Sequence, residues 1–192
     1  MPVPAQRKVA RDNCEAPLAA CAELLESEVH EHRFVGLAIM RHQFERARAE
    51  ERERISDLYL KKRADVNNWD LVDASAPYLL ADRVRQVPRK LLDPLLSSSS
   101  IWDRRIAMLA TFSLVREGEL AETLRAAKRL LADEHDLIHK ATGWMLREVG
   151  KRDVEALRGF LSEHASRMPR TALRYAIERL PKEERQRWMR AE

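Results

Sequence analysis

The chain has 192 residues, long enough to bury one sizeable core and short of what two ordinary domains need. With 5 Gly, 8 Pro, abundant Ala, Leu, Glu and Arg, and hardly any alternating Val, Ile or Thr, its composition excludes a β-rich fold and predicts an all-α one. Its 35 Lys and Arg, most of them Arg, against 31 Asp and Glu leave a formal charge of +4, and no run of about 18 apolar residues is present to span a membrane.

Apolar periodicity predicts helices in close succession along the chain. The first three lie at 4–12, at 17–26 behind Pro17, and at 29–48. The next, at 51–62, opens on Glu50-Glu51-Arg52-Glu53-Arg54, a solvated start with opposite charges within reach of one another. Helices at 69–82 and 88–96 follow, the second led by Pro88, and residues 97–100, all Ser, form a connector. Ser100 is the expected N-cap of a helix at 101–117, with Asp103 at the capping-box position and Gly118 as a left-handed residue past its end. Helices at 119–132 and 136–149 come next, with Gly150 expected to close the latter as Gly118 closes its own. The last three lie at 153–164, at 170–180 behind Pro169, and at 182–190 behind Pro181.

A repeat runs through this series. Ala38, Ala74, Ala107, Ala141 and Ala172 recur every 31 to 36 residues, each in the second helix of a pair, which is a helical-repeat spacing. Stacked pairs place their second helices along one curved surface, so residues flanking the alanines can face a common groove. A plain bundle with a coincidental period is the alternative.

Three segments draw attention chemically. In Asn67-Asn68-Trp69-Asp70-Leu71-Val72-Asp73, Trp69 and Asp73 lie one helical turn apart and share a face, a pairing that core packing does not require. Trp69 could equally be an interior anchor with Asp73 in solvent or paired with an Arg. Arg104 and Arg105 stand in the first turn of their helix, where cations oppose the dipole; a phosphate or a neighbouring carboxylate would offset that. Gly143 beside Trp144 allows a backbone or a ligand to approach closely, although a buried Trp is the commoner reason for such a pair.

Together with Met168-Pro169-Arg170-Thr171-Ala172-Leu173-Arg174-Tyr175-Ala176-Ile177, these segments closely resemble the AlkD-like DNA alkylation repair glycosylases. The resemblance covers essentially the whole chain and is strongest from Asn67 to Leu180. It implies one domain over 1–192, a right-handed HEAT-like solenoid with a concave DNA-binding groove, and excision of N3- and N7-alkylpurines from double-stranded DNA without flipping the base. By motif match it implies lesion-facing indoles at Trp69 and Trp144, a catalytic carboxylate at Asp73 and a backbone-contacting Arg105. Arg33, Arg104, Lys140, Arg147, Arg170 and Arg174 are further candidates for phosphates. Family members carry additional helices before the segment matching Pro2-Val3-Pro4-Ala5-Gln6-Arg7, so this chain is expected to lack one wall of that groove. A catalytically silent scaffold that binds DNA or protein is therefore the second reading.

No cofactor or metal is expected. His135 and His139 have the i, i+4 spacing of a zinc pair, but Asp136 replaces the Glu of that motif, no third ligand is evident, and a helix-start or groove role is favoured. Cys14 and Cys21 form no CxxC pair, and Met1-Pro2-Val3-Pro4 lacks an apolar leader, which predicts a reduced, cytoplasmic protein. It is expected to act as a monomer.

Overall fold

The computed structural model describes residues 1–190; residues 191 and 192 of the expected 1–192 domain lie outside the described residues. These form helices α1 (Val3–Asp12), α2 (Leu18–Glu26), α3 (His30–Arg46), α4 (Ala49–Lys61), α5 (Trp69–Leu79), α6 (Ala81–Gln86) and α7 (Pro88–Leu96). After them come α8 (Ile101–Ala110), α9 (Phe112–Glu117), α10 (Ala121–Arg129), α11 (Asp136–Arg152), α12 (Val154–His164), α13 (Arg170–Ala176) and α14 (Lys182–Arg190). No strand occurs among the described residues, and none of their helices is long and apolar enough to cross a membrane.

The repeat is a row of helices. α3 packs on α5, α5 on α8, α8 on α11 and α11 on α13, with α1 beside α3 at one end. These are the helices that carry the recurring alanines. A second layer packs behind them, with α2 on α3, α4 on α5, α7 on α8, and α10 and α12 on α11. The chain is an all-helical repeat solenoid. Apolar side chains such as Ile55, Leu71, Val72, Ile106, Met108, Leu146 and Leu161 fill the space between the layers with no exposure to water. Tyr59 is equally buried; its hydroxyl accepts a hydrogen bond from Ser75 Oγ at 3.2 Å, and burial pushes its phenol pKa up.

Ion pairs tie one repeat to the next at the same spacing as the alanines. Arg85–Glu117, Arg89–Glu122, Arg125–Asp93, Arg105–Asp73 and Arg147–Glu178 join residues 31 to 33 apart in sequence. The exposed ones contribute about 0–1 kcal/mol each, so they align the stack more than they stabilise it.

Local chemistry explains where the predicted boundaries move. The single helix expected at 101–117 breaks at Thr111, whose hydroxyl donates to the Met108 carbonyl at 2.7 Å and lets the chain turn into α9. The helix expected at 69–82 ends as α5, where Pro77 lacks an N–H, and residues 81–86 form a separate helix. Ser100 makes no capping bond; Ser98 Oγ accepts from the Ser100 N–H and donates to Asp103 at 2.8 Å instead. Gly118 does take a left-handed conformation, with φ of 90°, and the Glu119 N–H closes back on the Leu114 carbonyl at 2.9 Å. Gly150 does not; it lies inside α11, which runs on to Arg152 and hands over to Asp153, the cap of α12.

Candidate active site

Four successive row helices contribute to a cleft of about 350 Å³: Trp69 and Asp73 from α5, Arg105 from α8, Leu137, Lys140, Trp144 and Arg147 from α11, and Tyr175 from α13. Trp69 opens α5 and is 53% exposed, so it is not a core anchor. One turn later Asp73 faces the same cleft, as i, i+4 spacing on a helix requires.

Asp73 is held by a two-pronged ion pair. Arg105 Nε and Nη2 donate to its two carboxylate oxygens, both at 2.8 Å, while Arg105 Nη1 donates to the Leu137 carbonyl at the start of α11. Arg105 is only 5% exposed, and three of the five N–H groups on its guanidinium are spoken for by these bonds. Burial pushes the Asp73 carboxyl pKa above the usual carboxylate range; the Arg105 hydrogen bonds and charge pull it back, and Asp70 nearby adds to the rise. The paired carboxylate lines the cleft, where charges interact more strongly than in bulk water.

The second indole is fixed in place. Trp144 Nε1 donates to Glu148 Oε1 at 3.0 Å, Lys151 holds the same carboxylate, and the Phe112 ring packs at a centroid distance of 6.3 Å with a 41° tilt. Lys140 and Arg147 reach the cleft already engaged, Lys140 with Asp136 at 2.7 Å and Arg147 with Glu178. Gly143 permits a close approach of backbone: an added Cβ would meet the Ala172 carbonyl oxygen of α13 at 2.4 Å.

Four of the expected phosphate contacts do not line this cleft. Arg33 donates to the Ser27 and Glu28 carbonyls and to Asn67, bracing the turn before α3. Arg104 is bound through Nε to Asp133 and through Nη1 to the Ser98 and Ser99 carbonyls, so a neighbouring carboxylate offsets its place in the first turn of α8. Arg170 donates to the Met189 carbonyl, and Arg174 lies in another hollow with Lys182 and Arg185. Both histidines of the zinc-like spacing serve the start of α11: His135 Nδ1 accepts from the Leu137 N–H at 3.1 Å, and His139 Nε2 meets the Asp133 carbonyl at 2.5 Å. Two cleft residues went unrecognised in the sequence, Leu137 and Tyr175. Tyr175 could have been found as the aromatic one turn beyond the last recurring alanine.

A family model described as DNA alkylation repair enzyme matches residues 1–180. The chain belongs to that family. The matched span contains every residue of the cleft, from Trp69 to Tyr175, which gives this DNA alkylation repair protein a role in alkylation repair. A solved structure described as a predicted DNA alkylation repair enzyme from Enterococcus faecalis is similar, with a TM-score of 0.74, 20% identity, and coverage of 95% of this chain and 87% of that one. At that identity the likeness speaks for the fold. No curated protein matches the chain.

Proposed function

We propose that this alkylation repair protein is a monofunctional DNA glycosylase that removes positively charged N3- and N7-alkylpurines from double-stranded DNA. The observation that carries the reading is a single cleft lined by a desolvated carboxylate, Asp73, and two indoles, Trp69 and Trp144, with no histidine among its lining residues. Alkylation at N7 or N3 makes the purine cationic. When the C1′–N bond breaks, its electron pair passes to the base nitrogen and the base leaves neutral, so no general acid is needed.

The costly part is the positive charge left on the deoxyribose. An ionised Asp73 opposes that charge and takes the proton that the water gives up as its oxygen bonds to C1′; a preorganised group of this kind is worth roughly 3 kcal/mol, a few hundredfold in rate. The indole faces attract the cationic lesion or sugar by about 0.5–2 kcal/mol, depending on desolvation. An open cleft lined mainly by aromatic and charged groups suits a lesion approached from its sugar-phosphate side, in contrast to a pocket that reads an extruded base. Arg105 positions Asp73 and keeps two N–H groups free for a backbone phosphate.

Incubation of purified protein with a duplex containing N7-methylguanine tests this. Wild type is expected to liberate free base and leave abasic sites, and Asp73→Asn to do so a few hundredfold more slowly. Release by wild type no faster than spontaneous depurination would sink the enzymatic reading and leave a DNA-binding scaffold.

A further inference from the structure

A second cleft, of about 230 Å³, borders the first. It lies between α1, α3 and α5 and takes Arg7 and Arg11 from α1, Arg41 and His42 from α3, and Ala74 from α5. Ala74 follows Asp73 directly, so the two clefts share α5 as a wall. Ala38 and Ala74, two of the recurring alanines, are partly exposed here, whereas Ala107, Ala141 and Ala172 are buried. Small side chains thus line a hollow together with three arginines and one carboxylate, Glu45, which is paired with Arg41.

The state of those cations sets this cleft apart. Lys140 and Arg147 in the first cleft are each paired with a carboxylate. Arg7 and Arg11 make no side-chain hydrogen bond or ion pair with any described residue. They lie i, i+4 on one face of α1, where like charges repel. Arg41 is oriented, its guanidinium 3.4 Å from the centroid of the Tyr78 ring and its Nε donating to Glu45 at 3.0 Å. α1 cannot swing away freely, because Gln43 of α3 donates to the Cys14 and Ala16 carbonyls just beyond it. An anion entering here gains up to three guanidinium groups, two of them without first breaking an ion pair.

We propose that this cleft holds a backbone phosphate of the same duplex, on the flank of the lesion that points toward the N-terminal repeats. The proposal rests on the reading of the chain as a DNA glycosylase and adds a direction to it: contacts extend from the lesion cleft toward α1. The spacing allows it. Neighbouring packed helices stand about 8–10 Å apart, so the three steps from α3 to α11 cover roughly 24–30 Å, less than one duplex turn of about 34 Å.

The test compares wild type, the double variant Arg7→Gln with Arg11→Gln, and Lys8→Gln, whose target is paired with Asp12 and lines neither cleft. Binding to unmodified duplex is measured over a range of salt. The double variant is expected to bind about tenfold more weakly at low salt, with a log–log salt slope shallower by about one, since each neutralised phosphate contributes close to one. Lys8→Gln is expected to bind like wild type. Shortening the duplex on one side of N7-methylguanine should weaken wild type, and weaken the double variant far less. Glutamine keeps helix propensity and relieves the like-charge pair, so the melting temperature of the double variant should not fall. A wild-type slope in the double variant overturns the second cleft alone. Failure of wild type to bind duplex at any salt overturns the glycosylase reading with it.

Discussion

Burial around Asp73 raises its pKa, Arg105 lowers it, and burial prevails. If the ionised carboxylate is what opposes charge on the sugar, excision falls as pH drops through that raised value, so the acid limb of the rate profile lies at higher pH than an ordinary aspartate would give. Folding follows the opposite sign. The native state holds the Asp73 proton more readily than the unfolded chain, so this group's contribution to stability is fully present below the unfolded pKa and is lost as pH rises through the folded one. Arg105→Lys keeps the charge but not the fork, and Arg105→Gln removes both. The acid limb is expected to move upward in both variants, further in Gln, as read from single-turnover excision across pH. A limb that stays in place would remove Arg105 as the group that sets the Asp73 charge. The one-turn pairing of Trp69 with Asp73 was legible in the sequence because helix periodicity alone puts both on one face. The grip of Arg105 was not, since its partners lie 32 residues away on either side. Nor could the sequence separate Arg147, which reaches the cleft, from Arg33 or Arg104, whose donors are taken by loop carbonyls and a carboxylate from another repeat.

At the scale of elements, Gly143 of α11 and Gly159 of α12 make contrasting tests. Gly143 faces α13 so closely that a Cβ would stand 2.4 Å from the Ala172 carbonyl oxygen and 2.5 Å from Tyr175 Cβ. Backbone cannot yield there, so Gly143→Ala must force α11 and α13 apart. Overpacking of this sort costs about 1–3 kcal/mol, more than the roughly 1 kcal/mol that Ala gains over Gly in a helix interior. A Cβ on Gly159 in α12 meets nothing within 4 Å, so Gly159→Ala keeps the propensity gain and should stabilise by about 0.5–1 kcal/mol. Denaturant midpoints decide: Gly143→Ala is expected below wild type and Gly159→Ala above it, and equal midpoints would refute the packing account of α11 on α13. The same physics separates the legible from the hidden in the helix series. Gly118 ends α9 where the sequence says it should, because a left-handed residue is a local requirement. The breaks after α5 and α8 went unread because the apolar period continues through Leu80 and Thr111, and only the proline at 77 and the Thr111 hydroxyl turn the chain.

The whole molecule is a stack in which each repeat touches chiefly its neighbours, and that arrangement predicts how it opens. α11 packs on α8, α9, α10, α12 and α13 together, and its inward side chains from Ile138 to Val149 are sealed from water. α14 at the far end buries no residue, touching the core only through the half-covered Trp188 and Met189. In a quasi-one-dimensional array the opening free energy of each helix is set by its own burial and by its interfaces with adjacent repeats, so protection should grade along the chain. The ion pairs bridging repeats are individually too weak to make such an array open all at once. Native-state hydrogen exchange is therefore expected to find α14 exchanging first, α1 next, and α8 and α11 last, with α5 close to them. The first cleft spans α5, α8, α11 and α13, so Asp73, Arg105 and Trp144 would sit on the slowest-opening part of the stack, where a fixed geometry favours electrostatic preorganisation. The second cleft includes α1, which packs at the end of the row, so its two arginines are carried on a segment expected to exchange sooner than α5 until bound duplex holds it. Protection of α1 should accordingly rise when unmodified duplex is added, and rise less in the Arg7→Gln with Arg11→Gln variant. Uniform exchange of all helices at one global free energy would show a single cooperative unit and sink the graded picture.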